Sequence, residues 1–163
     1  MVKREGHENE APAPYCNPAF LLFSCKKEDS SYTQIKTNEN LIFLAIKAYR
    51  TDNGLDGPFV HQFVMVREAQ IYSYKMANDA EEFGTQGLTG HWNEIHEKIG
   101  GYNDQAIVLY TDTDDEDIIL TQLLQIDNAD LILLGDVTQC GVGVESDSDG
   151  YNYVTIMLMK VDS

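Results

Sequence analysis

Two strand-like runs, Thr138 to Glu145 and Tyr151 to Met159, are joined around Asp149-Gly150 near the end of the chain. That dipeptide supplies the positive φ of a tight hairpin turn, so the chain closes with two antiparallel strands. A third run, Ala106-Ile107-Val108-Leu109-Tyr110, is apolar, of strand length and bounded by Asn103-Asp104 and Thr111-Asp112. It reads as a buried strand. A small, largely antiparallel sheet is therefore fixed early, and the remaining elements must cover it.

Helical spacing dominates the rest. Leu41, Leu44, Ala45, Ala48 and Tyr49 recur at i, i+3, i+4, i+7 and i+8, predicting a helix over 38–52 with Asn53-Gly54 as its stop. Pro58 suits a first helical position, and Phe59, Phe63, Val66, Ala69 and Met76 predict a long second helix to about Asn78. The glycine-containing stretch Glu81 to Gly90 reads as a loop, followed by a short third helix from Trp92 to Ile99. Thr113-Asp114-Asp115-Glu116 has capping-box spacing and opens a fourth helix through Ile119, Leu120, Leu123 and Leu124. No internal repeat or heptad pattern is present. The expected class is α+β, with helices flanking the sheet.

Charge and cysteine content narrow the function classes. Eleven Lys and Arg face 27 Asp and Glu, a net charge of −16 that repels phosphate backbones and anionic headgroups. Nucleic acid is therefore not an expected partner. Residues 101–163 hold 13 of the acids and one base, Lys160. The 163 residues suit one domain on the prior of roughly 100 to 200 per domain. Cys16, Cys25 and Cys140 form no C-x-x-C pair and no disulfide framework.

Residues 1–36 read as a disordered tail, since Gly6, Pro12, Pro14 and Pro18 interrupt any period. The folded domain is 37–163. Within the tail, Leu21-Leu22-Phe23-Ser24-Cys25, followed by Lys26-Lys27-Glu28-Asp29, resembles a bacterial lipoprotein processing site, which implies lipidation of Cys25. Two acyl chains suffice for stable anchoring. The competing interpretation is an apolar patch on a disordered tail, because Glu5, Glu8 and Glu10 depart from a basic signal-peptide n-region, and Pro14 and Pro18 break the apolar stretch.

Four segments of the domain carry a wider resemblance. They are Asn40-Leu41-Ile42 through Ala48-Tyr49-Arg50 to Gly54-Leu55; Arg67-Glu68-Ala69-Gln70 to Lys75-Met76-Ala77; Leu133-Leu134-Gly135-Asp136-Val137-Thr138-Gln139-Cys140-Gly141-Val142-Gly143-Val144; and Gly150-Tyr151-Asn152-Tyr153-Val154-Thr155. Together they resemble the CAP superfamily of cysteine-rich secretory, antigen 5 and pathogenesis-related proteins (the SCP-like domain), in its short bacterial form. The resemblance implies a three-layer α-β-α sandwich. It also implies a cavity where two His and one or two Glu hold a divalent metal, but matching the words places Thr89, Ala106 and Ala129 at three of those positions, with His91 a near substitute for the first. Ala offers no metal ligand, so a degenerate cavity without metal or other cofactor is expected.

His91, Glu94, His96 and Glu97 form a His/carboxylate cluster, and their bland interpretation is a solvated helix face. His91 and His96 are five apart, about 140° around a helix, and do not converge on a metal as an i, i+4 pair does. The run Asp112 to Asp117 lacks the Gly and Glu that an EF-hand loop requires and reads as helix capping; Glu145 to Gly150 reads as a solvated hairpin loop. Gly141 and Gly143 suit close packing at a strand. Cys140 reads as a buried, inert thiol. Tyr72, Tyr74, Tyr110, Tyr151 and Tyr153 either pack the core or line a groove for an apolar ligand.

The expectation is a bacterial cell-envelope or secreted module that binds a protein or a small apolar ligand without catalysis, touching a membrane only through its anchor. The alternatives are a hydrolase using His91 and Glu94, and a lipid or sterol carrier.

Overall fold

The computed structural model describes residues 32–162. The lipidation candidate Cys25 and nearly all of the tail lie outside them. Helix α1 (Thr37–Asp52) leads to a two-residue strand β1 (Val60–His61), helix α2 (Phe63–Ala77), a 3-10 turn at Gln86–Leu88 and helix α3 (Thr89–Ile99). Strand β2 (Tyr102–Thr111), helices α4 (Glu116–Leu123) and α5 (Ala129–Leu133), and the hairpin of β3 (Gln139–Ser146) and β4 (Asn152–Lys160) complete the domain. The strands lie in the order β1-β3-β4-β2. Among the described residues only the β1–β3 pair is parallel. The fold is α+β, as the sequence predicts.

The sheet separates two apolar clusters, because successive side chains of a strand point to opposite faces. Val154, Ile156 and Leu158 of β4 join Val142 and Val144 of β3 under Ile42, Phe43 and Ile46 of α1 and Ile119 and Leu123 of α4. Met157 and Met159 face the other way, onto Met65, Ala69, Tyr72 and Met76 of α2 and Ile95 of α3. Helices therefore cover both faces in a three-layer sandwich.

Helix α2 lies directly on the backbone of β3. A Cβ on Gly141 would fall 2.3 Å from the Met65 carbonyl carbon, and one on Gly143 would fall 2.2 Å from that of Ala69. The close packing expected of these glycines is thus a helix-to-strand contact. Ser73 fastens the same point, its hydroxyl lying 3.1 Å from the Gly143 carbonyl and 2.8 Å from Thr155 Oγ1.

On the opposite face Arg50 anchors α1. Its guanidinium donates to the carbonyls of Leu133, Gly135 and Val137 and lies 4.4 Å from the centroid of the Phe59 ring. Burial lowers its pKa. Glu39 is also buried, and its carboxylate accepts from the Lys36 amide (2.8 Å), Gln70 Nε2 (2.6 Å) and the Val144 amide (3.2 Å).

Three expectations need correction. Pro58 does not open α2: the Val60 amide donates to Thr138 O and the Gln62 amide to Cys140 O, so the segment extends the sheet edge and the helix starts at Phe63. Phe59 stacks on Phe43 at 5.4 Å, and this long-range packing overrides the local pattern. At α4 the cap is Asp115, whose Oδ1 accepts from Asp117 and Ile118, while Thr113 accepts only from Asp115. Helix α5 was not expected; it is five residues long, and Asn128 enters it with φ of 63°.

Candidate functional site

The inner surface of α2 carries one charged side chain into the apolar layer. Glu68 lies one turn before Tyr72 and three residues after Met65, on the buried side. Its Oε2 is 2.9 Å from Nδ1 of His91, which the first turn of α3 turns inward. Both side chains are buried, at 4% and 8% exposure, so each satisfies the other out of water. Lys75 Nζ approaches Nε2 of His91 at 3.3 Å, and the edge of the Tyr72 ring closes the side at 5.4 Å. With the proton on Nδ1, His91 donates to Glu68 and accepts from the Lys75 ammonium, so both nitrogens are engaged. Lys98 stands 4.0 Å from the second Glu68 oxygen.

The solvated-face interpretation therefore fails for His91 and holds for its neighbours. Glu94 points to solvent and pairs with Lys98 at 3.3 Å, while half-exposed His96 pairs with Asp104 at 2.7 Å. The suggested His91 and Glu94 partnership is replaced by His91 and Glu68. A charge at a buried position of an otherwise apolar stripe was the available sign of it.

The four cavity candidates do not meet. Thr89 is exposed at the start of α3, and Ala106 on β2 packs into the α2–α3 layer beside His91's helix. Ala129 is buried at the start of α5, in the cluster across the sheet. The alternation of β2 turns Ala106 one way and Ile107 the other, and Ala129 packs on the Ile107 side. No group of three or more His, Cys, Asp or Glu suited to a metal occurs among the described residues.

Cys140 is fully buried on the α1 side, and burial pushes its thiol far above the usual range. The nearby cation is Arg50, brought from the N-terminal helix, and not a residue near it in sequence. It shares no face with His91.

A second constellation lies on the α2–α3 face, at the hairpin end of the sheet. Tyr110 of β2 and Tyr153 of β4 are directly paired across the strands, with ring centroids 4.9 Å apart at 64°. Tyr151 stacks on Tyr110 at 4.9 Å and 12°. Phe83, from the loop after α2, stands edge-on to Tyr110 at 6.5 Å and to Tyr153 at 6.3 Å. Phe83, Tyr110 and Tyr153 line an open cleft of about 230 Å³. Of the tyrosines expected at a groove, Tyr110, Tyr151 and Tyr153 assemble here. Tyr72 is instead buried beside His91, and Tyr74 packs edge-on against Tyr32 at 6.3 Å. Phe83 was missed, although an aromatic residue isolated in a polar, glycine-containing loop was its signal.

Desolvation raises the Tyr110 and Tyr153 pKa values, and carboxylates add to it: Asp147 at both rings and Asp79 at Tyr153. Asp147 also builds the turn. Its Oδ1 accepts from the amides of Asp149 and Tyr151, and its Oδ2 lies 3.5 Å from the Tyr110 hydroxyl.

Fold and sites together define a three-layer α-β-α protein with a sealed His/Glu pair inside and an aromatic cleft outside. An outer surface protein from Borrelia burgdorferi has a similar fold, with a TM-score of 0.62 over 80% of this chain and 97% of that one, at 15% identity. No protein-family model matches the chain. No curated protein matches it either.

Proposed function

We propose that the chain is a CAP-like binding module of a bacterial cell envelope, tethered through Cys25 and without catalytic activity. The observation that carries the envelope assignment is the fold shared with nearly the whole of a bacterial outer surface protein. The lipoprotein-like word at Cys25 supports it, and no helix among the described residues is long and apolar enough to cross a membrane. The CAP assignment draws support from the placement of its four words on α1, on α2, from α5 into β3, and at the start of β4, in a sandwich with the layer order that family implies.

The binding role without catalysis rests on the sealed pair. A general base needs an accessible lone pair within reach of substrate. His91 is buried, Glu68 occupies its Nδ1 and Lys75 its Nε2, while Glu94 lies outside with Lys98.

The test is expression of the full chain and its Cys25→Ala variant in a bacterium that processes lipoproteins, followed by fractionation and mass measurement. The expected result is a membrane-bound chain that begins at Cys25 and carries acyl groups, with the variant unprocessed. An intact, unmodified chain in the soluble fraction would refute tethering. Ester or peptide turnover that disappears in His91→Ala but survives in Lys98→Ala would refute the non-catalytic role and favour a hydrolase.

A further inference from the structure

The aromatic cleft has a ligand chemistry of its own. Phe83, Tyr110 and Tyr151 are 52%, 44% and 40% exposed, an unusual concentration of aromatic surface on a strongly acidic protein. Apolar patches of this kind on soluble domains mark interaction sites. Phe83, Tyr110 and Tyr153 meet one another edge to face at 64 to 71°, so the cleft they line is walled by aromatic rings in more than one plane. Ring faces are the negative part of the aromatic quadrupole. The Asp147 carboxylate lies 3.5 Å from the Tyr110 hydroxyl, and the charge of Asp79 acts on Tyr153. No ion pair to either carboxylate forms among the described residues, so neither charge is neutralised by a Lys or Arg of this domain.

An apolar wall with a negative rim suits a cation that carries its own apolar surface. A metal ion would need oxygen ligands converging within bonding distance, and the lining is carbon-rich ring. A neutral lipid tail would leave the carboxylates without a counter-charge. The volume of about 230 Å³ lies below the roughly 300 to 1,000 Å³ of sites that enclose whole drug-sized ligands. The cleft therefore matches a headgroup. We propose that the cleft of Phe83, Tyr110 and Tyr153, rimmed by Asp147, binds a methylated ammonium group of the choline type. This deepens the binding-module reading by naming its ligand class, and it is independent of the tether at Cys25.

The test uses the full chain and two small probes of the same shape, choline and its neutral isostere 3,3-dimethylbutanol, followed by ring-proton shifts in NMR. Choline is expected to shift Tyr110, Tyr153 and Phe83 saturably and to bind at least about tenfold more tightly than the alcohol. Phe83→Ala, in an exposed loop, is expected to abolish saturation while amide shifts elsewhere stay in place. Asp147→Asn keeps the turn-forming oxygen, and it is expected to weaken choline about threefold to tenfold while leaving the alcohol unchanged. Phosphocholine-lipid vesicles, compared with free choline, then distinguish a membrane headgroup from a soluble amine.

Equal binding of choline and the alcohol would overturn the cation and leave an apolar-ligand module. Saturable choline shifts that persist in Phe83→Ala, or that never arise at these rings, would overturn the site itself. Neither outcome bears on membrane tethering, which the Cys25→Ala fractionation reads separately.

Discussion

Replacing Gly143 by Ala tests the closest contact in the fold. The added Cβ would stand 2.2 Å from the Ala69 carbonyl carbon, 2.3 Å from the Gln70 amide nitrogen and 2.4 Å from the Ala69 oxygen. All three atoms belong to the backbone of α2, so no side-chain rotation relieves the clash. Ordinary contact begins at 3.4 Å, and the helix must rise by about 1 Å over β3. That movement also stretches the Ser73 bonds to Gly143 O and Thr155 Oγ1. Overpacking of a dense core costs about 1 to 3 kcal/mol, and a backbone-to-backbone clash belongs at the upper end. The expected loss is about 3 kcal/mol, or roughly 10 °C in Tm for a domain of this size. Urea denaturation followed by the fluorescence of Trp92, the single tryptophan, reports on the α2–α3 layer in which it packs. Gly57→Ala and Gly90→Ala meet nothing within 4 Å and are the controls, expected to be neutral or stabilising by up to about 1 kcal/mol. A Gly143→Ala midpoint indistinguishable from these controls would refute direct contact between α2 and β3.

Other consequences follow from single groups. His61 stacks on Phe43 at 4.5 Å with neither ring nitrogen hydrogen-bonded among the described residues, and burial lowers its pKa to about 4 from 6.5. The unfolded chain binds more protons between those values, so this contribution is full above pH 6.5 and is lost as pH falls toward 4. It amounts to about 2 to 3 kcal/mol. His61→Phe keeps the stack, and denaturation at about pH 4.5 and about pH 7 should show a flatter acid limb. Arg50→Lys retains the charge but cannot reach all three carbonyls of Leu133, Gly135 and Val137; a loss of about 2 to 3 kcal/mol in urea is expected. Tyr72→Phe removes the hydroxyl that bonds the Gly84 carbonyl and the Gly87 amide at 2.9 and 3.3 Å. Global stability should fall by about 1 kcal/mol, and hydrogen exchange at Gly87 should quicken at least about fivefold.

Local signals account for what the sequence revealed. Asp149-Gly150, the stripe from Leu41 to Tyr49 and the apolar run at Ala106 each specify an element within a few residues of themselves, and all three appear where expected. Strand β1 is different. Val60 and His61 are extended because Thr138, just before β3, and Cys140 within it offer the segment their carbonyls, which no local pattern encodes. The same distinction applies to the two sites. Glu68 was visible as a misplaced charge, but its partner 23 residues later depends on how α3 docks. Tyr110 and Tyr153 were each visible as aromatic residues, while their meeting depends on the β2–β4 register.

Helix α2 links the two constellations. Its buried side holds Glu68 and Lys75 against His91, and one turn beyond Glu68 the Tyr72 hydroxyl grips the Gly84–Gly87 loop next to Phe83. The height of α2 above β3, set by Gly141 and Gly143, thus governs both the sealed pair and one wall of the cleft. Charge follows the same division. His91 and Lys98 flank the one carboxylate that α2 buries and Lys75 backs His91, while at the hairpin end Lys36 pairs with Glu145 and Asp147 has no ion pair among the described residues. The acidity of the C-terminal half is therefore not a uniform coat. At the edge of the aromatic cleft the Asp147 carboxylate stands 3.5 Å from the Tyr110 hydroxyl, with no ion pair among the described residues.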